Sequence, residues 1–564
     1  SGTDSVLANV NGYTLGSGSN IEWLIFGSGA TSGTGNANAN TLVGSSSNDT
    51  LDGGAGIDSL SGGTGNDLYL LDNLGDIISE GAAAGTDSVL ASISGYTLAD
   101  NVEYLGLSGT FVQGTGNSLN NTLWGNTASN SLDGNSGDDT LIGDNGGDTL
   151  IGGTGNDSMV GGANDDYYSV DSVSDSVVEA ASGGTDSVLA AISDYTLLSE
   201  VEWLILDTGI ANGFGNSSAN TLVGNNAANS LTGGAGNDSL HGGAGADTLD
   251  GGAENDTMAG GSENDYYFVG SLSDSVVENS GEGTDSVYAT VENYTLANNV
   301  EHLELGTGIV AGSGNTGDET LLGNVTGNSL FGASGNDTLL GLAGNDTLDG
   351  GTGDDSIVGG QGSDLYYLDS LADELVEVSN QGTDSVLATA SGYTLASQLE
   401  YLELIDSAVS GNGNSLANTL VGNSLDNSLD GGVGIDGMVG RDGNDTYFVD
   451  NASDLVVELA DEGSSDLIVS SISGWTLADQ IENLMLSGTA ISGTGNSLDN
   501  VLTANSILGS TLWGGGGEDT FVGGAGNDWF IVDSANDSVD GGVGTDSVQA
   551  DFDNYTPVSY THLR

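Results

Sequence analysis

The chain has 564 residues, 97 of them glycine, with one proline and no cysteine, and 81 acidic residues against two basic ones give it a formal charge of −79 at pH 7. That charge excludes nucleic acid and insertion into anionic membranes as its business, and the missing cysteine excludes a disulfide framework or a thiolate metal site. An acidic excess of this size ordinarily signals disorder. Here the acids are spaced rather than blocked and aliphatic residues recur beside them, which predicts a fold conditional on a counterion.

From the N-terminus, the segment GTDSV recurs at Gly2, Gly85, Gly184, Gly283, Gly382 and Gly544, with a degenerate copy, GSSDLI, at Gly463. It divides the chain into repeat blocks 1–84, 85–183, 184–282, 283–381, 382–462 and 463–543, followed by a truncated block and atypical tail at 544–564. The intervals are 83, 99, 99, 99, 81 and 81 residues, so the long and short versions differ by eighteen. Each block opens with an extended stretch such as residues 86–93, then Tyr96-Thr97-Leu98, then a segment such as NVEYLGL at 101–107. Their β-type alternation without a GGxGxD loop predicts wider coils of longer strands, with a short helical turn at residues 99–101 as the alternative. Nonapeptides with asparagine at the sixth position follow, as at Asn121, Asn220, Asn418 and Asn500. Nonapeptides with aspartate come next, and the block closes on an aromatic pair and an acidic run, as at Tyr266-Tyr267-Phe268 and Asp274.

Residues 233–268 show the short period most clearly: GGAGNDSLH, GGAGADTLD, GGAENDTMA and GGSENDYYF follow without a gap. A fixed period of this kind marks a repeat architecture. The glycines allow a sharp turn at no steric cost. The residues after the aspartate have β character, so Leu249 points inward while Thr248 and Asp250 point outward. Two such half-coils close a coil of eighteen residues, and coils stack at about 4.8 Å, the spacing of paired strands. Some thirty coils would extend about 150 Å.

Stacking places each sixth-position aspartate over the one eighteen residues later, and two carboxylates so close repel unless a cation lies between them. Carboxylates together with turn carbonyls are hard oxygen ligands, and six to eight of them at flexible distances suit Ca²⁺ better than Mg²⁺. Eight pairs lie within glycine-rich loops: Asp49 with Asp67, Asp139 with Asp157, Asp148 with Asp166, Asp238 with Asp256, Asp247 with Asp265, Asp337 with Asp355, Asp346 with Asp364, and Asp528 with Asp546. Six use a partner at the motif's edge: Asp58 with Asp76, Asp157 with Asp175, Asp256 with Asp274, Asp355 with Asp373, Asp436 with Asp454, and Asp519 with Asp537. Asp-Gly clusters on their own often only make turns, but turn chemistry does not demand aspartate at a fixed eighteen-residue interval. Asparagine units carry no charge to balance and are expected to stack as side-chain hydrogen-bonded ladders with no metal.

The units resemble the repeats-in-toxin (RTX), or hemolysin-type, calcium-binding nonapeptide G-G-x-G-x-D-x-U-x. The resemblance implies a parallel β-roll with calcium in its turns, a bacterial origin, export by type I secretion, and an extracellular or cell-surface location. The fold expected is therefore all-β, a parallel β-solenoid of eighteen-residue coils with wider strand-rich coils between the calcium-loop runs. The function expected is a structural or adhesive region that folds on extracellular calcium. Self-association through open strand edges at the solenoid ends is expected too. An accessory region of a secreted hydrolase and a glycan- or ice-binding module are the alternatives.

Catalysis finds little support. The histidines His241, His302 and His562 are isolated, and the G-x-G-x-x-G match at residues 312–317 precedes no helical pattern. The acids repeat as an array rather than converging once, as a glycosidase would need. Trp23, Tyr104 and Trp203 recur at one block position, yet His302 and Asn483 share it, which favours packing or surface exposure over a sugar platform. No signal peptide and no apolar run long enough to span a bilayer is seen. Both ends read as cut within a block, and residues 557–564, with the one proline, read as foreign to the rest.

Overall fold

Glycine turns alternating with short strands run through the whole of the computed structural model, which describes residues 2–377, 382–460 and 462–551. The tail at 557–564, with His562, lies outside the described residues. Among those described there is no helix, and so none long and apolar enough to cross a membrane. Contacts divide the chain into two compact units, Ser1–Asp285 and Ser286–Arg564, and each is a parallel β-solenoid.

In the first unit, Ser230–Ala235, Thr248–Ala253 and Tyr266–Val269 lie side by side in one sheet, while Ser239–Ala244 and Thr257–Ser262 pair in another. Each strand runs parallel to the one eighteen residues on: Leu231 faces Leu249, which faces Tyr267, and Leu240 faces Met258. Two nonapeptides thus make one coil, as the spacing predicts. The five side chains are completely buried, with Thr248 and Asp250 half-buried on the outside. Each contributes about 1.5–3 kcal/mol by leaving water, so the core is a column of stacked eighth-position residues. The second unit repeats the pattern, with Leu339 facing Ile357 and Leu348 facing Tyr366.

The coils at the block openings differ. Ser88–Ala91 lies opposite Leu68–Leu71, twenty residues back, and opposite Tyr104–Leu107, sixteen residues on. Ser187–Ala190 and, in the second unit, Ser385–Ala388 show the same offsets. The expected widening is confined to one coil, and a narrower coil follows that restores the register. The strands there have four residues against three in many nonapeptides. Residues 100–101 form a turn, not a helix, with Asn101 at φ 64°.

These junctions also interrupt one sheet at a time. Near residue 87 the sheet containing Ser59–Ser61 stops at Ile77–Ile78 and a new one starts at Tyr96–Thr97, while the sheet through Leu68–Leu71 continues. Near residue 186 the roles reverse: the sheet that ran on now stops at Ser176–Val178 and another starts at Tyr195–Thr196. The 99 residues between these openings make five and a half coils of eighteen, so the interruption changes side.

Turn geometry explains the second and fourth glycines of each unit. Gly243 and Gly245 have φ of 114° and 106°, a region that costs a side chain about 1–2 kcal/mol. Leu342 holds the second position of its unit at φ 78° and is 46% exposed, so its side chain recovers little by packing. Leu342→Gly is expected to stabilise the second unit by about 1 kcal/mol, read as a higher thermal midpoint; a lower midpoint would show that the leucine packs productively.

Candidate metal centre

Every sixth-position aspartate stands immediately before a strand, so the sheet register places it one coil from its counterpart. The main-chain N–H of Asp247 donates to Oδ1 of Asp265 at 2.8 Å, and that of Asp238 to Oδ1 of Asp256 at 2.8 Å. All fourteen aspartate pairs expected from the sequence meet in this way, at 2.6–3.1 Å. Each contact joins a backbone donor to a carboxylate rather than two carboxylates head to head.

The second oxygen separates the residues into groups. Oδ2 is buried and has no hydrogen-bond partner in Asp58, Asp67, Asp139, Asp148, Asp157, Asp166, Asp238, Asp247, Asp256, Asp265, Asp337, Asp346, Asp355, Asp364, Asp436, Asp519 and Asp546, and in Asp49 the lone oxygen is Oδ1. Asp528 instead accepts the N–H of Gly524 at 3.0 Å. Asp454 and Asp537 accept N–H groups of their own turns through Oδ2, from Asn451 and Ser534 at 3.0 Å, and Asp175, Asp274 and Asp373 do likewise. Asp76 accepts from Asp58 at 2.9 Å and from the backbone of Asn73. The motif-edge partners are thus largely satisfied by main chain.

The first glycine of each unit marks where the lone oxygens point. A Cβ on Gly242 would run into the Asp247 carboxylate and lie 2.7 Å from the carbonyl oxygen of Gly260 in the next coil. Gly143, with Asp148 and Gly161, and Gly341, with Asp346 and Gly359, repeat this convergence at the same 2.7 Å. An unpaired carboxylate oxygen and a main-chain carbonyl facing one space form a hard donor set of the kind calcium takes.

Asparagine at the same position resolves the geometry without a cation. Asn220 Oδ1 accepts the N–H of Asn216 at 2.7 Å, and its amide donates to the carbonyl of Val201 at 3.1 Å. The expected ladder of amides bonding to one another is therefore replaced by amide-to-backbone bonds. The asparagine Oδ1 stands beside the first glycine of its unit, where an aspartate presents its bare Oδ2, and accepts a turn N–H there, while Nδ2 reaches back to a carbonyl of the previous coil.

Burial pushes these carboxyls up: Asp58, Asp139, Asp238, Asp247 and Asp519 to about 6, and Asp166 and Asp265 to about 7, with backbone N–H bonds opposing and neighbouring carboxylates adding. A carboxyl that holds its proton more tightly when folded stabilises the fold below its unfolded value near 4, and that stability is lost as pH rises through about 6–7. Metal ligation requires the opposite state, the deprotonated one. The metal-free protein is therefore expected to gain order on acidification from pH 7 toward 4 while the calcium-loaded protein loses stability over the same window. Circular dichroism melts across that range check both signs; parallel trends would refute the assignment.

The structure also assembles residues that an eighteen-residue search passes over. In the first unit Asp67, Glu80 and Asp87 bring one carboxylate oxygen each within 4.8 Å of one another, as do Asp166, Glu179 and Asp186, and Asp265, Glu278 and Asp285. In the second unit Asp364, Glu377 and Asp384, and Asp445, Glu458 and Asp466, do the same. A buried tyrosine eleven residues before each glutamate donates its hydroxyl to it, Tyr69 to Glu80 and Tyr168 to Glu179 among them. Here burial, with help from neighbouring acids, pushes Glu80 up to about 7 and Glu458 to about 8.

Comparison with family models matches the RTX calcium-binding nonapeptide repeat (4 copies) at residues 34–69, 115–150, 142–177, 214–249, 233–267, 241–276, 313–348, 331–366, 340–375 and 513–548. Comparison with curated proteins returns no match. The matched segments hold most of the turns that carry unpaired aspartate oxygens, Asp436 lying outside them, and the coil they build is the parallel roll expected of such repeats. The nonapeptide arrays are RTX calcium-binding repeats folded as a parallel β-roll.

Proposed function

We propose that the chain is a non-catalytic structural and adhesive β-roll region of a secreted bacterial protein, held loose at cytosolic calcium and folded by calcium outside the cell. The observation that carries this reading is the row of buried aspartate oxygens without partners. Main chain and core position them, and a hard divalent cation satisfies them, with Asp238, Asp247, Asp256 and Asp265 holding it in the 233–268 run. Extracellular calcium modules work at about 10⁻⁴–10⁻³ M, a range that separates the two sides of the membrane. Passage through a type I exporter in an unfolded state and assembly at the cell surface follow from that difference.

Outward threonines do not favour an ice-binding face: Thr248 lies between Ser230 and Tyr266, Thr140 between Thr122 and Ser158, and Thr149 between Ser131 and Tyr167, so each column is broken. Of the aromatics, Tyr104 stacks on Trp124 at 5.9 Å, whereas Trp23 and Trp203 are exposed. Light scattering and cell-surface binding, each in millimolar calcium and in chelator, test the proposal. Calcium-dependent assembly or surface retention supports it. A chain that folds with calcium yet stays monomeric and binds no surface would reduce it to an accessory region of a larger enzyme.

A further inference from the structure

The structure assigns a second kind of calcium site to the handover between blocks, where a glutamate joins two stacked aspartates to make a group of three carboxylates. In the first unit Asp166 and Asp186 are 2% and 0% exposed, and Oδ2 of each has no hydrogen-bond partner. Backbone bonds fix both: Oδ1 of Asp166 accepts the N–H of Asp148 at 2.6 Å, and Oδ1 of Asp186 accepts that of Asp166 at 2.8 Å. Glu179 closes the group within the same 4.8 Å, its Oε1 held by the Tyr168 hydroxyl and its Oε2 by the N–H of Ala180 at 3.2 Å. Asp67, Glu80 and Asp87 repeat the arrangement with Tyr69, again with unpartnered Oδ2 atoms on two buried aspartates.

The handover coil explains why a third carboxylate is needed. It runs twenty residues, or twenty-one between Asp445 and Asp466, instead of eighteen, and the glutamate lies in that longer stretch, thirteen residues after the first aspartate in every copy. Three ionised carboxylates this close repel strongly, and a dication between them turns repulsion into attraction. Carboxylate oxygens are hard donors of the kind calcium takes. Because affinity of oxygen sites rises with carboxylate count, these sites fill before the nonapeptide turns do. Their geometry stands whether or not those turns bind metal; only the choice of calcium as the ion in solution leans on the repeat chemistry.

The test compares the whole chain with a variant carrying Glu80→Gln, Glu179→Gln, Glu278→Gln, Glu377→Gln and Glu458→Gln. Both are titrated with calcium by calorimetry, and bound ions are counted by native mass spectrometry. Loss of the tightest class of sites, with affinity there falling at least about tenfold and later uptake unchanged, is the expected result. An unchanged titration overturns the assignment while leaving the nonapeptide sites intact; no uptake by either chain overturns both. Should the fivefold variant not fold, Glu179→Gln alone is expected to lose one tight ion with the fold kept, and retention of that ion is equally fatal.

Discussion

Removing divalent cations at neutral pH is expected to unfold both units, with loss of the β-type circular dichroism signal and a several-fold rise in hydrodynamic volume. The magnitudes leave little room for another outcome. A buried ionised carboxylate without a partner costs several kcal/mol after relaxation, whereas a whole domain has only about 5–15 kcal/mol of net stability. The 233–268 run alone buries four such oxygens, on Asp238, Asp247, Asp256 and Asp265. The leucine column beneath them cannot absorb that penalty, because its gain is largely cancelled by chain entropy. Calcium restores order by converting each lone oxygen into a ligand, so binding free energy becomes folding free energy. A compact particle with an unchanged β spectrum in chelator would refute this account.

The second large effect belongs to a glycine whose backbone is unstrained. Gly242 has no left-handed φ, so the usual argument from conformational freedom does not apply to it; its requirement is space. Gly242→Ala puts a methyl group onto the Asp247 carboxylate and 2.7 Å from the Gly260 carbonyl oxygen. Overpacking of this kind costs about 1–3 kcal/mol, and it displaces both donors from the place where they converge. The neighbouring Gly243→Ala is destabilising for a different reason, since residue 243 sits at φ 114°. Only the first substitution should also lose a bound ion. Thermal melts paired with metal counting separate the two; equal ion content in both variants would show that the first glycine does not line a metal position.

Much of this was readable in the sequence because one number governs it. Strand spacing and two-residue alternation fix an eighteen-residue coil once GGxGxD units abut, and Leu231, Leu249 and Tyr267 stack as that count requires. The fourteen aspartate pairs followed from the same count. The handover clusters were hidden because Asp166 and Asp186 lie twenty residues apart and Glu179 falls outside any nonapeptide. The signal was present nonetheless, in a glutamate thirteen residues beyond the closing aspartate of five blocks. The role of asparagine was also beyond periodicity alone, since Asn220 and Asp238 hold equivalent positions. What distinguishes them is a carbonyl on Val201 within reach of an amide.

The five-and-a-half-coil block has a consequence for how such a chain can change length. Adding or deleting eighteen residues inside a block keeps every later handover on its original edge, so its carboxylates and tyrosine still meet. A gain or loss of a single nonapeptide would carry all downstream handovers in that unit to the opposite edge. Spacing by whole coils therefore preserves sidedness, and the 99- and 81-residue blocks differ by that increment. Duplication of a lone nonapeptide should be tolerated by the core but would invert which flank each later junction presents to its surroundings.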